Sequence, residues 1–265
     1  MKLSIIIPSI DDPALQKTVD DLNAKARGEI EVIVVFDGVP VREVSGAKTL
    51  GDNTWHGMRW AVNTGVEASV GKYIMKTDDH CMFKEGYDQI LLSRIKDNWI
   101  VAPRRFWLDV KKWEVMDIGK SPVDYERLLI FNPNRIEGQI WNSRAKERAH
   151  KKIDETMLFQ GSCYVMSRKH WNWLGGLHEE GYGDFAQEAL EICMKTWLGG
   201  GRVIINKNTW YAHKHRSFGR LSRITREDMD KGSQYARDFW INNRWENRIH
   251  DLKWLFDRFN LKYEY

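Results

Sequence analysis

The chain has 265 residues, 42% hydrophobic and 29% charged with a formal net charge of +4, enough apolar material for one substantial core and excluding a disordered chain. No segment approaches membrane-spanning length, and the opening run Leu3-Ser4-Ile5-Ile6-Ile7-Pro8 is too short for a signal peptide, so a cytoplasmic location is expected. Cys81, Cys163 and Cys193 are odd in number and widely spaced, which argues against a disulfide framework and supplies no CxxC zinc knuckle.

Leu3 to Ile7 is a continuous β-branched run, Pro13 to Lys25 has helical spacing through Leu15, Val19 and Leu22, and Ile30 to Phe36 is apolar again. This predicts a βαβ unit whose strands, lacking polar alternation, lie in a parallel sheet covered on both faces. Trp55 to Ala68 reads as a helix, Lys72 to Thr77 as a third strand and Tyr87 to Ile95 as another helix. No GxGxxG follows the first strand and no GxxxxGK(S/T) occurs, so neither dinucleotide nor P-loop chemistry is indicated. Residues 104 to 155, rich in Arg, Lys, Trp and Asn with broken periodicity, are expected to form an insertion. Beyond it, Ser162 to Ser167 is a predicted strand, Arg168 to Leu174 a short helix and Gly175 to Gly183 a loop. Phe185 to Leu198 is a longer helix stopped by Gly199-Gly200-Gly201. Val203 to Ile205 and Thr209 to His213 read as strands, and Arg226 to Tyr265 as basic, aromatic helices.

The chemistry concentrates in Thr77-Asp78-Asp79-His80-Cys81, at the end of the strand-like run Tyr73-Ile74-Met75. Ligands bind at strand ends in open α/β sheets, and carboxylates with an imidazole there suit Mn²⁺ or Mg²⁺ held against a phosphate, although such a turn also serves as a plain helix cap. Residues 201 to 265 hold fourteen Lys and Arg against eight Asp and Glu, which favours an anionic partner such as a nucleotide diphosphate or nucleic acid. Trp99, Trp107, Trp113 and Trp141 lie among basic residues, where they could stack on sugar rings or bases.

In order and spacing, these segments resemble glycosyltransferases of the GT-A fold, especially family 2 and the polypeptide N-acetylgalactosaminyltransferases. Ser4-Ile5-Ile6-Ile7-Pro8-Ser9 resembles the opening strand of family 2 and Phe36-Asp37-Gly38 its Asp-Asp-Gly turn; Asn63-Thr64-Gly65 to Gly71-Lys72-Tyr73-Ile74 is similar to its next helix and strand. Asp78-Asp79-His80-Cys81 resembles the Asp-Ser-His-Cys metal motif of the N-acetylgalactosaminyltransferases. Met157-Leu158-Phe159-Gln160-Gly161, Glu188-Ala189-Leu190-Glu191-Ile192 and His213-Lys214-His215-Arg216 are similar to their later motifs. The resemblance implies a Rossmann-like GT-A domain over residues 1–220: a nucleotide-sugar half (1–103), the insertion (104–155) and an acceptor half (156–220). A basic helical extension (221–265) follows. Their Golgi anchor and lectin domain are not recognised here, so their substrate and compartment are not carried over.

By that resemblance the metal ligands are Asp78, His80 and His213, with Mn²⁺ or Mg²⁺ as cofactor and Arg216 assisting the leaving phosphate of a UDP-sugar. His215 shares a strand face with His213, and alignment favours His213. Pro8, Ser9, Asp37, Asn63, Asp79 and Arg216 are the candidate donor contacts. Asp37 alternatively serves only the turn before Gly38, and Asp79 alternatively supports a metal ligand. Glu188 and Glu191, three apart near a helix start, either meet substrate or merely stabilise the helix. Ala189 stands where inverting relatives carry their base; either Asp184 or Glu188 replaces it, or transfer is retaining and the leaving phosphate accepts the proton. The basic aromatic stretch of Arg104, Arg105, Trp107, Lys111, Lys112 and Trp113, with Glu191, is the candidate acceptor platform, for a glycan or a DNA base. A nucleotidyltransferase and a non-catalytic nucleic-acid-binding module are the competing readings.

Overall fold

The continuous apolar runs become the middle of one mixed sheet in the computed structural model, which describes residues 2–131, 135–185, 187–214 and 224–264. β1 (Leu3–Ser9), α1 (Leu15–Lys25) and β2 (Ile30–Phe36) form the expected parallel βαβ unit. β3 (Lys48–Leu50), α2 (Met58–Glu67), β4 (Tyr73–Thr77), β5 (Cys81–Phe83) and α3 (Tyr87–Leu92) follow. β4 pairs parallel with the other side of β1, so the chain reverses its direction of sheet growth beside β1, where α/β sheets open a ligand crevice at the strand ends. Ile5 and Ile7 pack with Leu15, Val19 and Leu22 of α1 in one core; Ile6 packs with Ala61, Val62 and Val66 of α2 in the other. Both faces are thus covered, which explains why β1 reads without polar alternation. α2 lies so close that a Cβ on Gly65 would come within 2.4 Å of Ile6 Cγ2.

The second half departs further from the sequence expectation. β6 (Trp99–Asp109) is paired by the hairpin strand β7 (Glu114–Val115); β8 (Glu126–Phe131) and β9 (Arg135–Ile140) form a separate two-stranded ribbon; α4 (Asn142–Glu147) and β10 (Ile153–Glu155) close this region. β11 (Cys163–Ser167), α5 (Arg168–Leu174), α6 (Glu188–Leu198) and β12 (Arg202–His213) follow. The main sheet order is β10-β12-β6-β11-β4-β1-β2-β3. The predicted insertion boundary at residue 104 therefore falls inside a central strand. The two short strands predicted over 203–213 are one long strand, with a register shift between Asn206 and Trp210 that hid its continuity.

β5 pairs antiparallel with the distal end of β12 and sets His213 opposite Cys81. This pairing carries the distant histidine to the Asp78–His80 turn. α7 (Arg226–Ile241) begins with a Thr225–Asp228 capping box and α8 (Leu252–Arg258) with an Asp251 cap. Phe239, Trp240, Leu255 and Phe256 bury into the same core as α6, so these helices pack as part of the main body. Among the described residues no helix is long and apolar enough to cross a membrane.

Candidate active site

The turn after β4 brings Asp78 and His80 to His213, with one ligand atom of each within 4.8 Å of the others. Asp78 Oδ2 and His213 Nε2 are 3.0 Å apart, the edge expected for neighbouring ligands in an octahedron with bonds of about 2.1 Å. His80 Nε2 is buried with no hydrogen-bond partner among the described residues, as a ligand atom facing a cation site would be. Burial pulls His213 down to about 4 against the opposing pull of Asp78, leaving its imidazole neutral near pH 7. Burial disfavours the Asp78 carboxylate, but Lys76 and the His213 hydrogen bond outweigh it and hold Asp78 well below the usual carboxylate range. An ionised Asp78 carboxylate, the neutral His213 imidazole and the open Nε2 of His80 form a donor set that fits a divalent transition cation such as Mn²⁺.

Behind these groups is a second layer. Asp79 Oδ1 lies 2.6 Å from His80 Nδ1, and Ser9 Oγ donates to Asp79 Oδ2 at 2.6 Å. This carboxylate–histidine pairing leaves Nε2 as the imidazole's open nitrogen and fixes the ring's orientation. Ser9 and Asp79, both candidate donor contacts, are engaged with each other, and Asp79 is hydrogen-bonded to His80 as a ligand-supporting carboxylate would be. Asp79→Asn is expected to weaken Mn²⁺ binding by roughly 10–100-fold, measured by metal titration; unchanged affinity would show that this pairing does not tune the site.

Lys76, hidden from sequence reasoning inside an apolar run, sits beneath the cluster and is fully buried. Its Nζ donates to Asp78 Oδ1 at 2.6 Å and to the Gly161 carbonyl at 2.8 Å, and lies 3.5 Å from Glu188 Oε2. Burial alone would neutralise this lysine; Asp78 and Glu188 together raise it above the ordinary lysine range. Burial pushes the Glu188 carboxyl up, with Lys76 opposing.

Two cavities meet at this point, and Asp78, Met58 and Phe185 line both. The smaller, about 80 Å³, is bounded by Pro8, Ser9, Asp37, Trp55, Asp79 and Asp184. Its Asp37 accepts from the His56 and Gly57 backbone N–H groups at 2.7 and 2.9 Å, so both carboxylate oxygens hold the 55–57 loop against the cavity. The Asp184 carboxylate accepts the Trp55 indole N–H at 2.7 Å. The larger cavity, about 400 Å³, contains Lys76, Glu126, Gln160, Glu188, Ala189 and His213 in its walls.

The family model of glycosyl transferase family 2 matches residues 4–172. The chain belongs to that family. It is 25% identical over 212 residues to putative polypeptide N-acetylgalactosaminyltransferase 13 of Drosophila melanogaster, covering 78% of this chain and 36% of that protein. It is 23% identical over 258 residues to human polypeptide N-acetylgalactosaminyltransferase 18, covering 91% of this chain and 40% of that one. The chain spans about two fifths of the length of these relatives. A crystal structure of GalNAc-T7 with UDP, GalNAc and Mn²⁺ matches 99% of this chain and 55% of its own, with a TM-score of 0.71 at 16% identity. S. aureus TarS matches 81% of this chain and 37% of its own, with a TM-score of 0.55 at 15% identity. These likenesses show the fold, and the sheet described above is a GT-A fold.

Several residues expected in this glycosyl transferase family 2 site lie elsewhere. Asn63 is spent on the 177–179 loop: its amide donates to the Leu177 carbonyl at 2.9 Å and to Glu179 at 2.7 Å, while its oxygen accepts from the Leu177 N–H. Glu191 is not an acceptor contact. It is fully buried between Arg59 and Lys195, the latter at 2.7 Å, and accepts the His178 N–H. The six-residue acceptor platform is not one surface. Arg104 and Trp107 line a separate groove of about 780 Å³, with Arg104 bound through both nitrogens to Asp124, whereas Arg105 is buried. Lys111 and Lys112 sit at a turn where Trp113 donates to Asp21 of α1. Of the four tryptophans proposed for stacking, Trp141 is buried in the core. Arg216 and His215 lie outside the described residues.

Proposed function

We propose that this protein is a metal-dependent glycosyltransferase that moves a sugar from a UDP-sugar to an acceptor hydroxyl. The observation that carries the reading is the convergence of Asp78, His80 and His213 at the junction of the two cavities. A diphosphate centred there extends its nucleoside into the cavity of Pro8, Ser9 and Trp55 and its sugar into the cavity of Glu188. Mn²⁺, named in the GalNAc-T7 structure, or Mg²⁺ would supply Lewis-acid and counter-charge chemistry to the leaving diphosphate. The chain's own residues do the rest. Asp79 and Ser9 orient His80, Lys76 keeps Asp78 ionised, and Trp55 offers an aromatic face at the nucleoside end. The test is calorimetry with UDP: binding is expected in Mn²⁺ and lost in EDTA, and equal affinity in both would remove the metal from the reading.

We read the transfer as retaining. Ala189 lines the sugar cavity but its methyl group takes no proton. Asp184 is engaged by Trp55, and Glu188 faces the Lys76 ammonium. As the acceptor oxygen bonds to the anomeric carbon and the carbon–phosphate oxygen bond breaks, the acceptor proton passes to the leaving phosphate on the same face. NMR of the product is expected to show the donor's anomeric configuration. Inversion, together with lost transfer but intact donor binding in Glu188→Gln, would make Glu188 the base.

A further inference from the structure

Glu126 enters the larger cavity from β8, in the segment whose broken periodicity gave no reason to single it out. Its backbone is pinned at two points: its N–H donates to Thr156 Oγ1 at 3.3 Å and its carbonyl accepts the Leu158 N–H at 3.0 Å, while the Thr156 hydroxyl donates to the Leu158 carbonyl at 2.7 Å. The segment it is pinned to, 156–158, leads directly into Phe159, Gln160 and Gly161 of the same cavity wall. On the facing strand Gly138 leaves room for the carboxylate, since a Cβ there would stand 3.3 Å from Glu126 Oε2.

The carboxylate makes no hydrogen bond or ion pair with the protein among the described residues. Arg105 acts on it only through space, and burial raises its pKa despite that charge. A half-buried carboxylate in a cavity wall, with no donor among the described residues, has acceptor oxygens available to a ligand that fills the cavity. The cavity's volume of about 400 Å³ falls within the ~300–1,000 Å³ usual for small-molecule sites. Its other polar walls include Gln160, Ser162, Gln187 and Glu188, and the Lys76 ammonium there is already engaged by Asp78 and the Gly161 carbonyl, a lining suited to a polyol.

The structure assigns Glu126 as a specificity-determining residue that accepts hydrogen bonds from ring hydroxyls of the donor sugar. The donor is the source of those hydroxyls because the cavity shares Asp78 and His213 with the metal cluster, so the group joined to the diphosphate is the one that fills it. The assignment rests on the glycosyl-transfer reading above. Glu126 acts on affinity and sugar choice, not on proton transfer.

The test is calorimetry in Mn²⁺ on wild type, Glu126→Ala and Glu126→Gln, with UDP alone and with UDP-glucose, UDP-galactose and their N-acetylamino counterparts. Wild-type binding of UDP alone tests the underlying reading independently of Glu126, and unchanged UDP affinity in both variants certifies their folding. The preferred UDP-sugar is expected to lose about tenfold or more of its affinity relative to UDP in Glu126→Ala, with partial recovery in Glu126→Gln. A donor lacking the contacted hydroxyl should bind wild type and Glu126→Ala alike. Equal UDP-sugar affinity in wild type and Glu126→Ala would overturn the assignment. So would intact donor affinity with a raised acceptor KM, which would move the contact to the acceptor. An acidic limb of the kcat profile abolished in Glu126→Gln would make Glu126 a base and overturn it equally.

Discussion

Asp78→Asn is expected to abolish metal-dependent UDP binding and to lower sugar transfer by roughly 10²–10³-fold or more, the scale of losing one preorganised charge contact at a reacting centre. Asp78 is the only ionised carboxylate in the three-residue cluster, and the amide replaces its negative charge with a dipole. Its loss also strips Lys76 of its nearest counter-charge, leaving Glu188 at 3.5 Å as the remaining one. That secondary effect threatens folding, because a buried ammonium without a close partner is destabilising. The double variant Lys76→Met with Asp78→Asn separates the two effects: it should regain thermal stability while remaining unable to bind UDP through Mn²⁺. His80→Ala and His213→Ala should lose metal binding with smaller changes in stability. Retained Mn²⁺-dependent UDP affinity in all three single variants would place the cation elsewhere.

The Asp78–His80–His213 cluster was legible because a local signal and a long-range similarity coincide. Asp78-Asp79-His80 follows an apolar strand, and the family's spacing singles out His213. What sequence could not show is the β5–β12 pairing that physically joins them, since β5 is only three residues long and its burial leaves no periodicity to read. Lys76 was missed for a related reason: a charged residue in a central strand is discounted unless its buried partners are known, and those partners come from Asp78, Gly161 and Glu188. Arg104 and Arg105 were grouped by composition, yet a strand sends neighbours to opposite faces. The grouping would have been divided had residues 99–109 been recognised as one strand. The first βαβ unit was read accurately because its signal is local and repeated, whereas β12 looked like two strands across its register shift.

Glu191 illustrates the opposite error, a functional reading of a residue that holds the fold together, and its replacement carries the second large expected effect. Glu191→Ala should destabilise the protein by about 3–5 kcal/mol, because Arg59 and Lys195 would be left buried without their shared carboxylate. The three charges join α2 to α6, and Arg59 also donates to the His178 carbonyl and covers the Tyr182 ring at 4.1 Å. Burial alone would raise the Glu191 carboxyl. Arg59 and Lys195 outweigh burial and lower it beneath the ordinary value of 4.5. The folded-state pKa is therefore depressed, so this stabilisation is complete above about pH 4.5 and is lost as pH falls through the folded value. Urea denaturation of Glu191→Gln should show a lowered midpoint at pH 7 with little change in slope, and the gap to wild type should narrow in acid. UDP affinity of the folded fraction should persist, since Glu191 lines neither cavity at the metal cluster. Unchanged stability with a selective loss of acceptor turnover would instead return Glu191 to the acceptor site.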